Sequence, residues 1–307
     1  MSNGHGHGHG HGVSQSASGK HVRRLWLAVG LGLVTFVTQV VVGLSTSSLA
    51  LLSDSAHVFT DVFGILMALA AILLAQRARG RADRTFGLYR TEVFAALFNA
   101  LLLFAVAGWV LFEAIGRLES PPEVPGLPVT IVAIVGLAMN VAAFLLLQSG
   151  AKESINVRGA YLEVMADMLG SVGVLLSGLV TMIFGWRYAD PLIGIAIGLF
   201  VLPRAYSLGR HAVRILLQHA PPGVDVAEMT GALDGIPGVV ETHDVHVWTL
   251  TSGMEVVSAH LTTGSDTDSA VILDAARAVL ADKYGLTHST LQIESVGGGS
   301  GCHELSW

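Results

Sequence analysis

Through the first two hundred residues, apolar positions fall in long unbroken runs, neither alternating nor recurring once per helical turn. The runs at 25–44, 93–112, 127–147 and 191–204 are apolar on every side. A helix needs about 20 such residues to cross a bilayer, and all-round apolarity separates them from the striped helices of soluble proteins. Two more runs, 51–75 and 159–184, fit the same length but carry Asp54, His57 and Asp61 in one and Glu163 and Asp167 in the other. Six membrane helices are therefore expected. Past residue 213 the pattern changes. Residues 243–251 and 254–262 alternate, with Ser252 and Gly253 as a hairpin turn between them. Residues 269–283 read as an amphipathic helix burying Val271, Ile272, Ala275 and Val279. A strand at 288–294 and an earlier helix at 226–233 complete an αββαβ order, a small α+β domain. The expected class is an all-α membrane domain of six transmembrane helices plus this C-terminal cytoplasmic domain. The chain divides into a Gly/His-rich cytoplasmic tail at 1–21, a six-helix membrane domain at 22–212, a cytoplasmic domain at 213–296, and a flexible tail at 297–307.

Composition agrees with the runs. Hydrophobic residues make up 52% of the chain and charged ones 13%, against about 25% charged in soluble domains. That excludes a soluble globular enzyme and a disordered chain, and the single cysteine excludes a disulfide scaffold. Seventeen basic residues, scattered along the chain, leave no nucleic-acid footprint. Their placement gives orientation instead. With the N-terminus inside, thirteen basic residues lie on the cytoplasmic side, and only Arg117 and Arg187 lie outside. Both termini are then cytoplasmic, which an even number of spans requires. Residues 213–307 hold twelve acidic groups against Arg214, Arg277 and Lys283, a formal −9. The opening stretch alternates glycine with His5, His7, His9 and His11. It reads as a native disordered segment, either gathering metal weakly and multivalently or serving as a solubilising tail with incidental affinity.

An ionisable group at mid-membrane costs roughly 2.5–3.5 kcal/mol, which makes it a functional candidate by default. Asp54, His57 and Asp61 fall at i, i+3 and i+7, on one helix face; Glu163 and Asp167 fall at i and i+4, on another. Opposed, His57, Asp61, Glu163 and Asp167 supply one imidazole and three carboxylates, enough for a four-coordinate divalent cation such as zinc. Nothing basic lies in those two spans, so the carboxylates need protons or metal. Asp54, nearer the outer end, is an accessory candidate. Asn99 and Asn140 read as interhelical hydrogen-bond partners, and Gly170, Gly173 and Gly178 as places for close helix approach or as tolerated glycines.

The stretches Ser48-Leu-Ala-Leu-Leu-Ser-Asp-Ser-Ala-His57-Val-Phe-Thr-Asp61 and Asn156-Val-Arg-Gly-Ala-Tyr-Leu-Glu163-Val-Met-Ala-Asp167-Met-Leu-Gly-Ser171 resemble those of the cation diffusion facilitator family. So do Phe86-Gly-Leu-Tyr-Arg-Thr-Glu92 and His243-Asp-Val-His-Val-Trp248. The resemblance, strongest to the bacterial cobalt–zinc–cadmium resistance and zinc efflux branch, runs from about residue 20 to 295. It implies a ferredoxin-like cytoplasmic domain, a homodimer in the cytoplasmic membrane, and efflux of zinc-like cations in exchange for protons. Zinc-selective members commonly have histidine where Glu163 stands. A harder oxygen there loosens the preference for zinc and cadmium over cobalt or manganese. Arg84 and Tyr89 stand where some members have histidines of a second site, so no site is assigned there.

The resemblance also implies cytoplasmic metal bound by His243, His260 and Glu294. Cys302 and His303 could close a site from the tail, since thiolate is a good zinc ligand. By strand alternation His246 falls on the face opposite His243, beside Trp248. Zn2+ is the expected cargo and regulatory ion. A broader manganese, cobalt or iron exporter and a passive cation channel are the alternatives, the latter separated by its indifference to a pH gradient. An intramembrane metallopeptidase would carry a His-Glu-x-x-His pair, which this chain lacks; the reading is a transporter and not an enzyme.

Overall fold

The computed structural model describes residues 17–78, 85–149, 155–251, 253–264 and 267–296. The Gly/His-rich segment, Ser252 of the expected turn, and Cys302 and His303 lie outside them. Six long helices come first: α1 (Ala17–Thr46), α2 (Leu49–Ala78), α3 (Arg90–Glu119), α4 (Gly126–Gln148), α5 (Ile155–Phe184) and α6 (Ala189–Leu216). Then follow α7 (Val226–Asp234), β1 (Val239–Thr251), β2 (Met254–Thr263), α8 (Ser269–Tyr284) and β3 (His288–Ser295). Contacts divide the chain into two compact units.

The first unit joins the chain up to Leu66 with Asn99–Tyr206. It is apolar outside and polar inside. Phe112 is 77% exposed and Phe184 75%, whereas Gln39, Asp54, His57, Asn140, Ser171 and Asp190 are buried. Water around such a surface would drive association; hydrocarbon satisfies it. Among the described residues, five helices, α1, α3, α4, α5 and α6, contain stretches long and apolar enough to cross a membrane. Expected to end at 204, the last apolar run continues as helix to Leu216, with Pro203 inside it.

Helix α2 begins at an unusual cap. Ser47 turns the chain at φ +54°, and Ser48 Oγ accepts from Leu51 N at 3.2 Å, the ordinary N-cap bond. From the first turn of α6, the buried Asp190 carboxylate accepts from Ser48 Oγ at 2.5 Å, Leu49 N at 2.7 Å and Ala50 N at 3.3 Å. A helix N-terminus offers unpaired N–H groups and partial positive charge, so it is a natural place to bury an acid.

Helices α4 and α5 meet backbone to backbone. A Cβ on Gly126 would stand 2.6 Å from Met182 N, and one on Gly178 would stand 2.6 Å from Thr130 Oγ1. Asn140 Nδ2 donates to Ser171 Oγ at 3.0 Å across the same pair. Asn99 instead packs against Gly64, whose Cβ would stand 2.8 Å from Asn99 Nδ2. Of the other two glycines singled out on α5, Gly170 lies against Asp54 and Gly173 has only ordinary contacts.

The second unit takes in Met67–Phe98 and the chain from Ser207 onward. Its sheet runs β1-β2-β3, with β1 antiparallel to β2 and β2 parallel to β3. Val257, Ala259 and Leu261 of β2 are buried against Met229 and Leu233 of α7 and Ile272, Ala276 and Leu280 of α8. The buried stripe of α8 is thus 272, 276 and 280, flanked by Ala275 and Val279, while Val271 is 63% exposed. Asp268 caps α8 by accepting from Ala270 N at 2.9 Å, and Gly285 closes it at φ +71°. Lys283 Nζ lies 2.8 Å from Glu228 Oε1, and that hydrogen bond holds the ammonium above its ordinary pKa.

The α4–α5 contact is testable. Gly178→Ala would force a methyl into Thr130, whose backbone nitrogen lies 2.8 Å away, at a cost of about 1–3 kcal/mol. We expect thermal unfolding of the purified protein to shift several degrees lower. Gly173→Ala, where Ile193 Cγ2 stands 3.4 Å off, should unfold near the wild-type temperature.

Candidate metal centres

Two groups of potential metal donors stand out among the described residues: His57, Asp61 and Asp167 in the first unit, and His243, His260 and Glu294 in the second. Within each, the donor atoms lie within 4.8 Å of one another.

In the first, His57 and Asp61 are one helical turn apart on α2, and Asp167 comes from α5. His57 Nε2 lies 3.2 Å from Asp167 Oδ1 and 3.9 Å from Asp61 Oδ2. Two ligands at about 2.1 Å from a tetrahedral zinc are about 3.4 Å apart, so these separations suit a shared ion. Both ring nitrogens of His57, Asp61 Oδ2 and Asp167 Oδ1 are buried without a hydrogen-bond partner. Buried polar atoms are normally paired; three such atoms from different side chains, converging on one point, form a ready donor set.

Glu163 is not in this group. Its carboxylate forms an ion pair with Arg204 of α6, whose Nη2 also lies 3.0 Å from Asp61 Oδ1. A guanidinium between two acids from α2 and α5 relieves their mutual repulsion, which is why the fourth expected ligand sits apart here. Nothing basic was expected within 51–75 or 159–184; the cation beside Asp61 and Glu163 comes from a third helix. Ending the last span at 204 hid it, because a helix running on to Leu216 places Arg204 in its interior. Asp54 is also outside the group. It accepts from Gln39 Nε2 of α1 at 2.6 Å and fills the space beside Gly170. Neither Gln39 nor Asp190 had a sequence signal beyond being polar near an apolar run.

The second centre is built by strand register. His243 of β1 stands directly opposite His260 of β2, their ring centroids 5.4 Å apart and nearly perpendicular. Glu294 of β3 pairs with Thr262, two residues beyond His260 and on the same face. Its oxygens lie 3.1 Å from His260 Nδ1 and 3.5 Å from His243 Nε2. A bulge between His243 and His246 adds a residue to β1, with Asp244 at φ +50°. One extra residue reverses the alternation. His246, opposite Ser258, therefore shares the face of His243, contrary to the plain alternation. Asp244 joins the group as well: its carboxylate lies 2.9 Å from His246 Nε2 and 3.7 Å from His260 Nε2.

An apolar-surfaced helical bundle with acids and imidazole inside, followed by a small α/β domain, defines an integral membrane protein built to handle cations. Family comparison agrees. The cation efflux transmembrane domain matches residues 25–217, and the cytoplasmic domain of cation efflux proteins matches residues 221–296. The metal cation efflux system protein CzcD of Cupriavidus metallidurans is 42% identical over 282 residues, covering 92% of this chain and 89% of that one. The zinc transporter ZitB of Escherichia coli is 36% identical over 89% of this chain and 88% of its own. The cadmium, cobalt and zinc/H(+)-K(+) antiporter of Bacillus subtilis is 35% identical over 84% of each. The chain belongs to the cation efflux, or cation diffusion facilitator, family, in the branch of CzcD and ZitB.

For the sheet centre, His260→Ala removes the imidazole that Glu294 and Asp244 both face. Zinc titration of the full chain should lose one high-affinity site, or show it weakened at least about tenfold. His288→Ala, at the exposed start of β3, should titrate as wild type.

Proposed function

We propose that this protein exports divalent metal cations, zinc first, with cadmium and cobalt as further substrates, by exchange for protons. The observation that carries the reading is the convergence of His57 Nε2, Asp61 Oδ2 and Asp167 Oδ1, buried and without hydrogen-bond partners, on one point between α2 and α5. Relatives named for metal cation efflux, for zinc transport and for cadmium, cobalt and zinc/H(+)-K(+) antiport support the choice of cargo and counter-ion. Helix α2, which brings two of the three donors, is the sixth membrane crossing in this reading. Both termini then lie on the cytoplasmic face of the inner membrane, an orientation that the excess of basic residues in the cytoplasmic segments supports. Glu163 completes the coordination once its carboxylate is free of Arg204.

Coupling follows from the donors. Metal binds deprotonated carboxylate and neutral imidazole, so loading expels protons. Protons arriving from the other face compete for the same atoms and release the ion. One site, exposed to each side in turn, exchanges the two fluxes without a separate proton path. Nothing in this scheme makes or breaks a covalent bond. Two carboxylate oxygens against one nitrogen in the donor set keep cobalt within reach beside zinc.

In the cytoplasmic domain, His243, His260 and Glu294 hold a regulatory ion in the same reading, and the two domains of a homodimer each carry a formal −8 that such ions partly neutralise. Closing or strengthening the dimer by metal is then a charge effect, screened by salt.

Asp61→Asn and Asp167→Asn keep shape and remove charge. In everted vesicles under an imposed pH gradient, each should lower zinc flux by at least about 100-fold, beyond the 10–100-fold typical of losing a group behind the ligands. Membrane insertion should persist. Near-normal flux in either variant removes that residue from the transport site, and flux indifferent to the pH gradient removes the antiport.

A further inference from the structure

Arg204 occupies a singular place in α6. It follows Pro203, whose ring takes away the N–H that the carbonyl of Leu199 would accept and loosens the helix there. Its guanidinium reaches across to two other helices, 3.0 Å from Asp61 Oδ1 on α2 and in an ion pair with Glu163 on α5. Asp61 is thereby divided: Oδ1 faces Arg204, while Oδ2 faces His57 at 3.9 Å without a hydrogen bond. One carboxylate thus belongs both to the metal donor set and to an ion pair. A guanidinium stays charged under all ordinary conditions, so it cannot yield by losing its proton. It yields by moving.

Formal charge points the same way. Asp61, Glu163 and Asp167 contribute −3 and Arg204 +1. The cluster therefore carries −2, the counterpart of one divalent cation, where the acids by themselves would carry −3. In a low-dielectric bundle an unbalanced charge is the expensive case.

We propose that Arg204 is a tethered counter-cation that competes with the transported metal for Asp61. This rests on the assignment of His57, Asp61 and Asp167 to the transport site. As metal binds, the guanidinium gives up Asp61 and withdraws about the loosened turn at Pro203. As metal departs, the guanidinium returns to Asp61 and keeps the emptied site from standing at −3. Arg204 is a positioning residue with a cost: it weakens binding and speeds release.

Zinc flux through the full chain in proteoliposomes, under a fixed pH gradient, separates the two effects. Arg204→Gln should lower KM at least about tenfold and lower kcat at least about tenfold, because the site holds zinc more tightly and lets it go more slowly. Arg204→Lys keeps the charge but cannot span two carboxylates as the planar fork does. Its KM should lie between wild type and the Gln variant, with most of kcat restored. A merely structural arginine would give a KM unchanged or raised on substitution, and that result in either variant overturns the proposal. Asp61→Asn runs in parallel. If it is inactive while Arg204→Gln keeps the wild-type KM, only the role of Arg204 falls; if it transports normally, the site assignment falls and this inference with it.

Discussion

A carboxylate inside an apolar bundle must find a partner, and the first unit is organised by how each one does so. Asp190 spends its charge on the N-terminus of α2, binding two backbone N–H groups and the Ser48 hydroxyl. Asp54 takes the amide of Gln39. Glu163 and half of Asp61 share Arg204. The second oxygen of Asp61, one oxygen of Asp167 and the ring of His57 make no hydrogen bond and face one another instead. In the candidate transport centre such atoms come from three side chains at once.

Donor geometry depends in turn on where α5 stands. Gly126 and Gly178 bring α4 and α5 to backbone contact, and the Asn140–Ser171 bond adds a directional tie. Small residues permit such approach where no hydrophobic force distinguishes helix from lipid. Gly170 then leaves room for Asp54 to come alongside α5. Helix α6 contrasts with this firmly packed pair, since Pro203 interrupts its hydrogen bonding one residue before the cation that meets the centre.

The cytoplasmic sheet solves a different problem. One face is committed to the core through Val257, Ala259 and Leu261, which leaves the other to chemistry. Antiparallel register sets His243 opposite His260, and parallel pairing of β3 brings Glu294 beside them. The bulge at Asp244 turns His246 to that same face and adds a carboxylate. In a reading where metal tunes the dimer, the bulge enlarges the group of titratable side chains that an ion, or its absence, rearranges.

Local patterns were legible wherever a short-range rule governs. Apolar runs marked the helices, the i, i+4 spacing put His57 with Asp61, alternation marked β1 and β2, and the paired strands put His243 near His260. Each depends on periods of 3.6 or 2 residues that hold regardless of neighbours. Where a rule was broken locally, the reading slipped. The bulge at Asp244 reversed the face of His246, and the burial of α8 settled on Ile272, Ala276 and Leu280 where the amphipathic pattern had included Val271. Partnerships across the bundle were beyond any period. Arg204 with Asp61, 143 positions apart, and Asp190 with Ser48, 142 apart, exist because packing brings three helices within reach and a buried charge takes the nearest complement. Composition and spacing decided which residues could do chemistry; the tertiary fold decided which of them stand free to do it, because only packing distributes the partners.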